Sequence, residues 1–256
     1  MSTTANAPAM RLEYVLRLAD SPLVLAQQLG SLVADAPTME EDVALANVAL
    51  DLLGQARALL TYAGELEGRG RGEDDLAFLR QAHEFRSVLL VEQPNGDFAQ
   101  TQLRQFLYDA YAIELWRHLQ SSSDATLAAV AGKAVKETTY HVRRSADWVI
   151  RLGDGTDESH ERLQQALANL WMFTGELFLG DDVDEEMSRL GVAPLSSTLE
   201  PAWRSRIESV FAAAALAAPE VRWPQRGGKT GRHTEYLDHL LAEMQVLPRT
   251  FPGARW

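Results

Sequence analysis

The 256-residue chain contains no cysteine. It therefore cannot form disulfides, bind a metal through thiolates or use a cysteine nucleophile, and its composition fits a reducing cytoplasm. It also lacks an excess of positive charge, because 24 Lys and Arg residues stand against 36 Asp and Glu residues, a formal net charge of −12. This balance disfavours nucleic acid and anionic lipid as main partners, but it leaves room for a local basic pocket.

Long uncharged hydrophobic runs and a secretory signal are also missing. The most apolar stretch, residues 42–63, is interrupted by Asp51 and Arg57, whereas a membrane span needs about twenty apolar residues without charge. Residues 1–9 have neither the basic nor the apolar region of a signal peptide. We expect a cytoplasmic protein with a disordered leader at residues 1–9 and a single helical domain at residues 10–256.

Strand periodicity is absent too, so no sheet is predicted. Helical periodicity instead predicts long helices flanked by shorter ones. Ser21-Pro22 indicates the start of a new helix after a short first one, and Thr38 and Asp124 are predicted N-caps. The four long helices are predicted at residues 21–35, 42–63, 97–120 and 125–152.

The helix at residues 42–63 is hydrophobic on all sides, which predicts a buried position at the centre of the protein. Its polar residues Asn47, Asp51 and Gln55 follow one another at intervals of four and therefore share one stripe. A carboxylate on a buried stripe must be neutralised, hydrogen-bonded or bound to a metal.

The other long helices also carry polar residues near mid-length, among them Gln105 and Asp109. This layout is typical of ferritin-like carboxylate bundles, in which two helices each give a glutamate and two give Glu-x-x-His to a di-iron centre. The predicted fold class is therefore all-α, a ferritin-like four-helix bundle with additional flanking helices.

The ligand pattern of such a bundle is incomplete here. Glutamine replaces the glutamate of the first helix, glycine and tyrosine replace the two histidines, and a histidine follows one position after the tyrosine. A lysine one turn before the last glutamate could supply positive charge. We predict a degenerate, metal-free site balanced by an ion-pair network, with metal binding as the alternative. The positions are Gln28, Asp51, Gly54, Asp109, Lys133, Glu137, Tyr140 and His141.

Six stretches taken together closely resemble the C-subunit family (PaaC type) of bacterial ring 1,2-phenylacetyl-CoA epoxidases. The resemblance is collinear from about Leu12 to Trp256, and VEQPNG and GGKTGRHT are its most specific motifs. The stretches span residues 44–57, 89–99, 134–141, 151–157, 170–178 and 227–245.

The resemblance implies a ferritin-like fold and a non-catalytic structural subunit without a cofactor of its own or catalytic residues. In that family a homologous A subunit carries the di-iron site and inserts oxygen into the aromatic ring of phenylacetyl-CoA. A reductase component supplies electrons from NADPH through flavin and iron–sulfur centres. The implied partners are the A subunit, the other epoxidase subunits and phenylacetyl-CoA at a shared interface.

Coenzyme A presents phosphates, which basic side chains and loop amides bind. The acid-free loop at residues 221–234 is a local basic patch, with Arg222 and His233 near its two ends. Its alternative role is to dock on the A subunit or on its own chain. The resemblance suggests further contacts to the CoA tail at two other segments. The candidate substrate-binding residues are Glu84, Phe85, Arg86, Ser87, Glu185, Glu186, Met187, Arg226, Lys229 and Arg232.

Two alternatives to the structural subunit stay open. In the first alternative the chain is a catalytically competent ferritin-like oxidase that uses Asp51, Asp109, Glu137 and His141. In the second it is a helical adaptor unrelated to oxygen chemistry. Ligand-bound iron in the purified chain would favour the oxidase, and co-purification with an A-type partner would disfavour the adaptor.

Overall fold

A computed structural model describes residues 7–220 and 223–254, and every regular element in these two ranges is helical. The predicted all-α, ferritin-like fold class is confirmed. Residues 1–6 of the predicted leader lie outside the described residues, whereas residues 7–9 form the first turn of a helix. The chain divides into two compact units: unit 1 comprises the chain up to Glu92 and from Gly227 onward, and unit 2 comprises Gln93–Arg226. One domain over residues 10–256 stays a prediction.

Unit 1 is built on two long helices that pack against each other. The predicted helix break at Ser21-Pro22 is wrong, because the first helix continues through Pro22. The N-cap at Thr38 is confirmed, since its side chain accepts a hydrogen bond from the Glu41 amide at 3.3 Å. The helices of unit 1 are α1 (Ala7–Gly30), α2 (Met39–Glu67), α3 (Glu73–Phe78), α4 (Leu89–Glu92) and α10 (Glu235–Thr250).

The prediction that α2 is buried on all sides is wrong. One side of α2 is buried, with Leu45, Leu52 and Leu59 shielded from water, but Val43 and Leu50 on the other side are exposed. By length and composition α2 is the one helix in the described part of the chain that could cross a membrane, yet only 39% of its most apolar stretch is buried. Apolar residues all round a helix indicate burial only when every side has a neighbour.

Unit 2 contains the helix with the most complete burial. All residues from Thr101 to Ile113 are shielded from water, and this helix packs against the helix that follows it. The predicted cap at Asp124 is confirmed, because its side chain accepts from the Leu127 amide at 3.1 Å. Asp97 caps the preceding helix in the same way, through the Gln100 amide at 2.9 Å. The helices of unit 2 are α5 (Phe98–Leu119), α6 (Ala125–Gly153), α7 (Asp157–Leu170), α8 (Asp182–Arg189) and α9 (Glu200–Ala213).

Helical periodicity predicts a shorter helix at residues 75–91. This prediction is wrong, because a 3₁₀ turn separates α3 from α4 in the structure. The interruption contains Arg80, which is buried and donates a hydrogen bond to the buried Asp20 carboxylate at 2.9 Å. The Arg80 guanidinium also lies 4.1 Å from the centre of the Phe85 ring. A buried charge needs such partners, so these contacts within unit 1 outweigh local helix periodicity.

Candidate functional site

A cluster of buried polar side chains joins α5 and α6 in the middle of unit 2. We call it the Asp109 cluster, and its members are Gln105, Asp109, His141 and Ser145. Gln105 Nε2 donates to Asp109 Oδ1 at 2.7 Å, and Ser145 Oγ donates to Asp109 Oδ2 at 2.9 Å. Each helix supplies two members four residues apart, the spacing that places both on one side of a helix.

The Asp109 carboxyl group is buried and accepts its hydrogen bonds from neutral groups. Burial raises the pKa of Asp109 to about 6, although the charge of His141, the hydrogen bonds from Ser145 and Gln105, and the charge of Arg144 act in the opposite direction. Burial dominates because a charge is poorly solvated in an apolar interior. The carboxyl group can therefore exchange a proton close to neutral pH.

The structure corrects the register predicted for α6. Glu137 forms an ion pair with Lys133 at 3.2 Å, and the Lys133 side chain is 72% exposed. Tyr140 is half exposed, whereas Thr138, His141 and Ser145 are buried. Because neighbouring residues on a helix point about 100° apart, the buried side of α6 passes through His141 and excludes Tyr140. Lys133 therefore points outward and does not neutralise the Asp109 cluster.

Of the predicted metal-site positions in unit 1, one is buried and two are half-buried. Gln28 is buried and donates to the Glu92 carbonyl at 3.2 Å. On α2, Asp51 and Gly54 are half-buried, and Gln55 is the member of the predicted polar stripe that lies inside. The predicted stripe on α2 therefore runs from the exposed side of the helix to its buried side.

The donor chemistry of the Asp109 cluster is poor for a di-iron site. It combines one carboxylate and one imidazole with an amide and a hydroxyl, whereas the di-iron bundles supply glutamates from four helices and two histidines. Within residues 7–220 and 223–254, no group of three or more His, Asp or Glu side chains converges so that it could hold a metal ion.

A second buried carboxylate, in unit 1, lies where the two most specific motifs meet. We call this the Glu92 cluster, and its members are Ser87, Glu92, His233 and Thr234. Glu92 Oε1 accepts from His233 Nδ1 at 2.6 Å and from Ser87 Oγ at 3.2 Å. Glu92 Oε2 accepts from both the amide and the hydroxyl of Thr234 at 2.9 Å. Both oxygens are thus hydrogen-bonded by groups of the protein itself.

The imidazole of His233 faces an acceptor on each side. Nδ1 contacts the Glu92 carboxylate and Nε2 contacts the Phe85 carbonyl at 2.9 Å. Two acceptors require both ring nitrogens to carry a proton, which is the charged form of histidine. Burial lowers the pKa of His233, but the hydrogen bond and charge of Glu92, together with the Phe85 carbonyl, raise it by more, so the net change in the pKa is upward. The pair is therefore a buried ion pair.

The glycines of GGKTGRHT let this loop approach the segment before α4. A Cβ on Gly228 would lie 2.1 Å from the Ser87 carbonyl oxygen, and one on Gly231 would lie 2.3 Å from the His83 carbonyl oxygen. Gly231 also has φ of +78°, which favours glycine. The structure thus supports the alternative in which the loop docks on its own chain.

The CoA candidates of unit 1 are largely committed to internal contacts. Arg86 forms an ion pair with Glu13 at 2.6 Å and donates to the His83 carbonyl at 2.9 Å. Phe85 and Ser87 are fully buried, and the Glu84 carboxylate accepts from the Gln81 amide at 2.7 Å.

The remaining candidates differ in their access to solvent. Met187 is buried and Glu186 pairs with Arg189 at 2.7 Å, whereas Glu185 is exposed. In the basic loop Arg222 lies outside the described residues. Two of the loop's cations, Arg226 and Arg232, are exposed, and Lys229 is half-buried.

Sequence reasoning missed Glu92 as a site residue and treated His233 only as part of a basic patch. The two residues are 141 positions apart, so no helical spacing connects them. The available signal was an acid directly after the apolar residues Leu89–Val91, because an acid in such a setting needs a buried partner.

These features define a ferritin-like helical protein whose mid-helix carboxylates are held by protein groups. A protein-family model described as "Phenylacetic acid catabolic protein" matches residues 1–256, and the chain belongs to this family. It is 49% identical over 243 residues to the C subunit of 1,2-phenylacetyl-CoA epoxidase from Escherichia coli (strain K12). That match covers 95% of this chain and 98% of the relative.

Proposed function

We propose that this chain is the non-catalytic structural subunit of a 1,2-phenylacetyl-CoA epoxidase, pairing with and stabilising a di-iron A subunit. The observation that carries the proposal is the 49% identity to the C subunit of the Escherichia coli epoxidase across nearly the whole length of both chains. In this proposal the A subunit inserts oxygen into the ring of phenylacetyl-CoA, and a reductase component supplies electrons from NADPH. The complex acts in the cytoplasm.

The donor set of the Asp109 cluster supports a non-catalytic role. Gln105 already donates to one Asp109 oxygen and Ser145 to the other, so both carboxylate oxygens are occupied by hydrogen-bond donors of the protein. A hydrogen-bonded buried carboxylate is stable without a metal.

The test is co-expression of this chain with the A subunit, followed by measurement of iron and of NADPH-dependent oxidation of phenylacetyl-CoA with the reductase present. We expect iron and activity in the complex, and retention of both when the chain carries Asp109→Asn together with His141→Gln. A thermal melt checks that the variant is folded.

The alternative oxidase predicts the opposite result. If the double variant is folded and bound to the A subunit but has lost iron and activity, the chain has its own metal site. If the wild-type chain does not bind a folded A subunit, the subunit proposal itself is wrong.

A role in holding the CoA moiety is the finer part of the proposal. It is supported by the exposed cations Arg226 and Arg232, which can meet a phosphate at the protein surface. Replacing each by alanine in the complex should raise KM for phenylacetyl-CoA and leave kcat unchanged, whereas Arg204→Ala, an exposed arginine on α9, is the control. An unchanged KM in both loop variants would contradict the proposed role in holding the CoA moiety.

A further inference from the structure

The exposed side of α2 carries more apolar surface than the chain uses for its own core. We call the four residues Met39, Val43, Leu50 and Leu53 the α2 apolar face. Their exposed fractions are 81%, 55%, 65% and 40% in that order. They are separated by four, seven and three positions, spacings that place them on one side of a helix.

This face is not a by-product of a frayed or poorly packed helix. The opposite side of α2 is buried through Leu45, Leu52 and Leu59, so α2 is firmly held by the rest of unit 1. A soluble monomer gains nothing from large aliphatic side chains in water, and contiguous patches of this kind mark interaction surfaces.

Most charges around the α2 apolar face are negative. The exposed Arg57 lies one turn beyond Leu53, at the C-terminal end of the face, and pairs with Glu73 at 3.3 Å. Between Arg17 and Arg57 the sequence contains no lysine or arginine. The acidic residues beside the face are Glu40, Glu41, Asp42 and Asp51. An anionic membrane surface would be repelled by such a rim, because peripheral helices bind anionic lipid through lysine and arginine.

The same rim disfavours a second copy of this chain. An antiparallel pairing that sets Val43 of one copy against Leu50 of the other also brings Asp42 of one copy alongside Asp51 of the other. A parallel pairing places two acidic first turns side by side. Each copy also carries a net charge of −12, and like charges across an interface oppose association.

We propose that the α2 apolar face docks an amphipathic helix of a different chain, with apolar residues facing Val43 and Leu50 and with lysine or arginine facing the acidic rim. This inference rests on the proposed function, in which the chain is one subunit of the epoxidase, and it assigns the surface that meets the A subunit. Helix-in-groove contacts of this type are anchored by a few central apolar residues.

The test measures the affinity of the purified chain for the A subunit, with paired variants on two surfaces. Leu50→Glu should weaken binding by about tenfold or more, because Leu50 lies at the centre of the face. Leu247→Glu introduces the same change at an exposed leucine on α10 and should leave the affinity unchanged. Leu50→Ala serves as the milder variant if the charged one is misfolded.

A second pair of variants tests the charge of the partner. Glu40→Lys should weaken binding and reduce its dependence on salt, whereas Glu161→Lys, an exposed acid on α7, should not. Wild-type binding that persists in Leu50→Glu and Leu50→Ala overturns the inference and leaves the proposed function intact, whereas failure of the wild-type chain to bind removes both. The inference would also be overturned if the wild-type chain associates with itself, or binds anionic vesicles, and Leu50→Glu abolishes that association or binding.

Discussion

Glu92 in unit 1 and Asp109 in unit 2 are both buried carboxylates, but they have different partners. Glu92 faces the charged form of His233, with two further donors from Thr234. Asp109 accepts from a neutral amide and a neutral hydroxyl, and burial raises its pKa to about 6. Two equally buried carboxylates therefore behave differently. Glu92 forms an ion pair that fixes a loop, whereas Asp109 has a pKa close to neutral pH.

The two clusters also differ in the segments of the chain that they connect. The Glu92 cluster connects VEQPNG with GGKTGRHT, so its ion pair closes unit 1 across 141 positions. The Asp109 cluster connects neighbouring helices that already pack along their length. We infer that Glu92 has the larger role in stability.

The largest effect is expected from Glu92→Gln, which leaves His233 without its counter-charge. Removal of one member of a buried ion pair typically costs about 3–5 kcal/mol, and we expect a loss of this size in the free energy of unfolding measured by urea titration. Glu73→Gln is the control, because Glu73 pairs with the exposed Arg57 and such pairs contribute about 1 kcal/mol or less. Similar losses in the two variants would contradict the distinction between the sites.

Asp109→Asn should change the pH dependence of stability. The folded-state pKa of about 6 lies above the ordinary aspartate pKa of 3.8, so ionisation of Asp109 destabilises the folded chain progressively as the pH rises from about 4 to about 6. This penalty amounts to about 3 kcal/mol above that window, and the variant should lack it. Urea titrations at pH 4 and pH 7 measure the difference between the two proteins.

Ser145→Ala sharpens the same measurement. The Ser145 hydroxyl lowers the pKa of Asp109, so its removal should raise that pKa and extend the pH window upward. Parallel pH profiles for the wild type and Asp109→Asn would show that the pKa of Asp109 is not raised. An unchanged pH window in Ser145→Ala would show that the Ser145 hydroxyl does not lower that pKa.

Gly231→Ala should disturb the Glu92 cluster indirectly. Gly231 lies two positions before His233, and a Cβ at Gly231 would collide with the His83 carbonyl. Gly253 has nearly the same φ, +80°, but no atom lies within 4 Å of the position that a Cβ would occupy there. Alanine at either glycine brings the same backbone strain, so the difference between the variants isolates the contact. We expect Gly231→Ala to be less stable by a further ~1–3 kcal/mol. Equal thermal shifts would show that the loop is free to move away.

The helices and caps were predictable because their signals are local. The predicted helix start at residue 97 and the predicted cap at Asp124 identified the starts of α5 and α6, and a period of four placed Asp109 on a buried side. Rotation about a helix axis was harder to predict: the family pattern Glu-x-x-His favoured Tyr140 as an inner position, although the structure turns His141 inward. One residue of error is a rotation of about 100°.

The rest was not predictable from local spacing. The pairing of Glu92 with His233 depends on how distant segments fold together. The exposed side of α2 depends on which neighbours are missing from this chain, and hydrophobicity alone cannot distinguish a core residue such as Leu52 from a surface residue such as Leu50.

The smallest effect is expected from Lys133→Gln, which tests whether a cation on α6 supports Asp109. The Lys133 side chain is largely exposed and its partner is Glu137, so its loss should change the free energy of unfolding by less than about 1 kcal/mol. The pH window of Asp109 should stay in place, because Lys133 is not among the groups that shift the pKa of Asp109. If the window moves upward in this variant, Lys133 reaches the interior, and both sites would then hold their carboxylates by ion pairing.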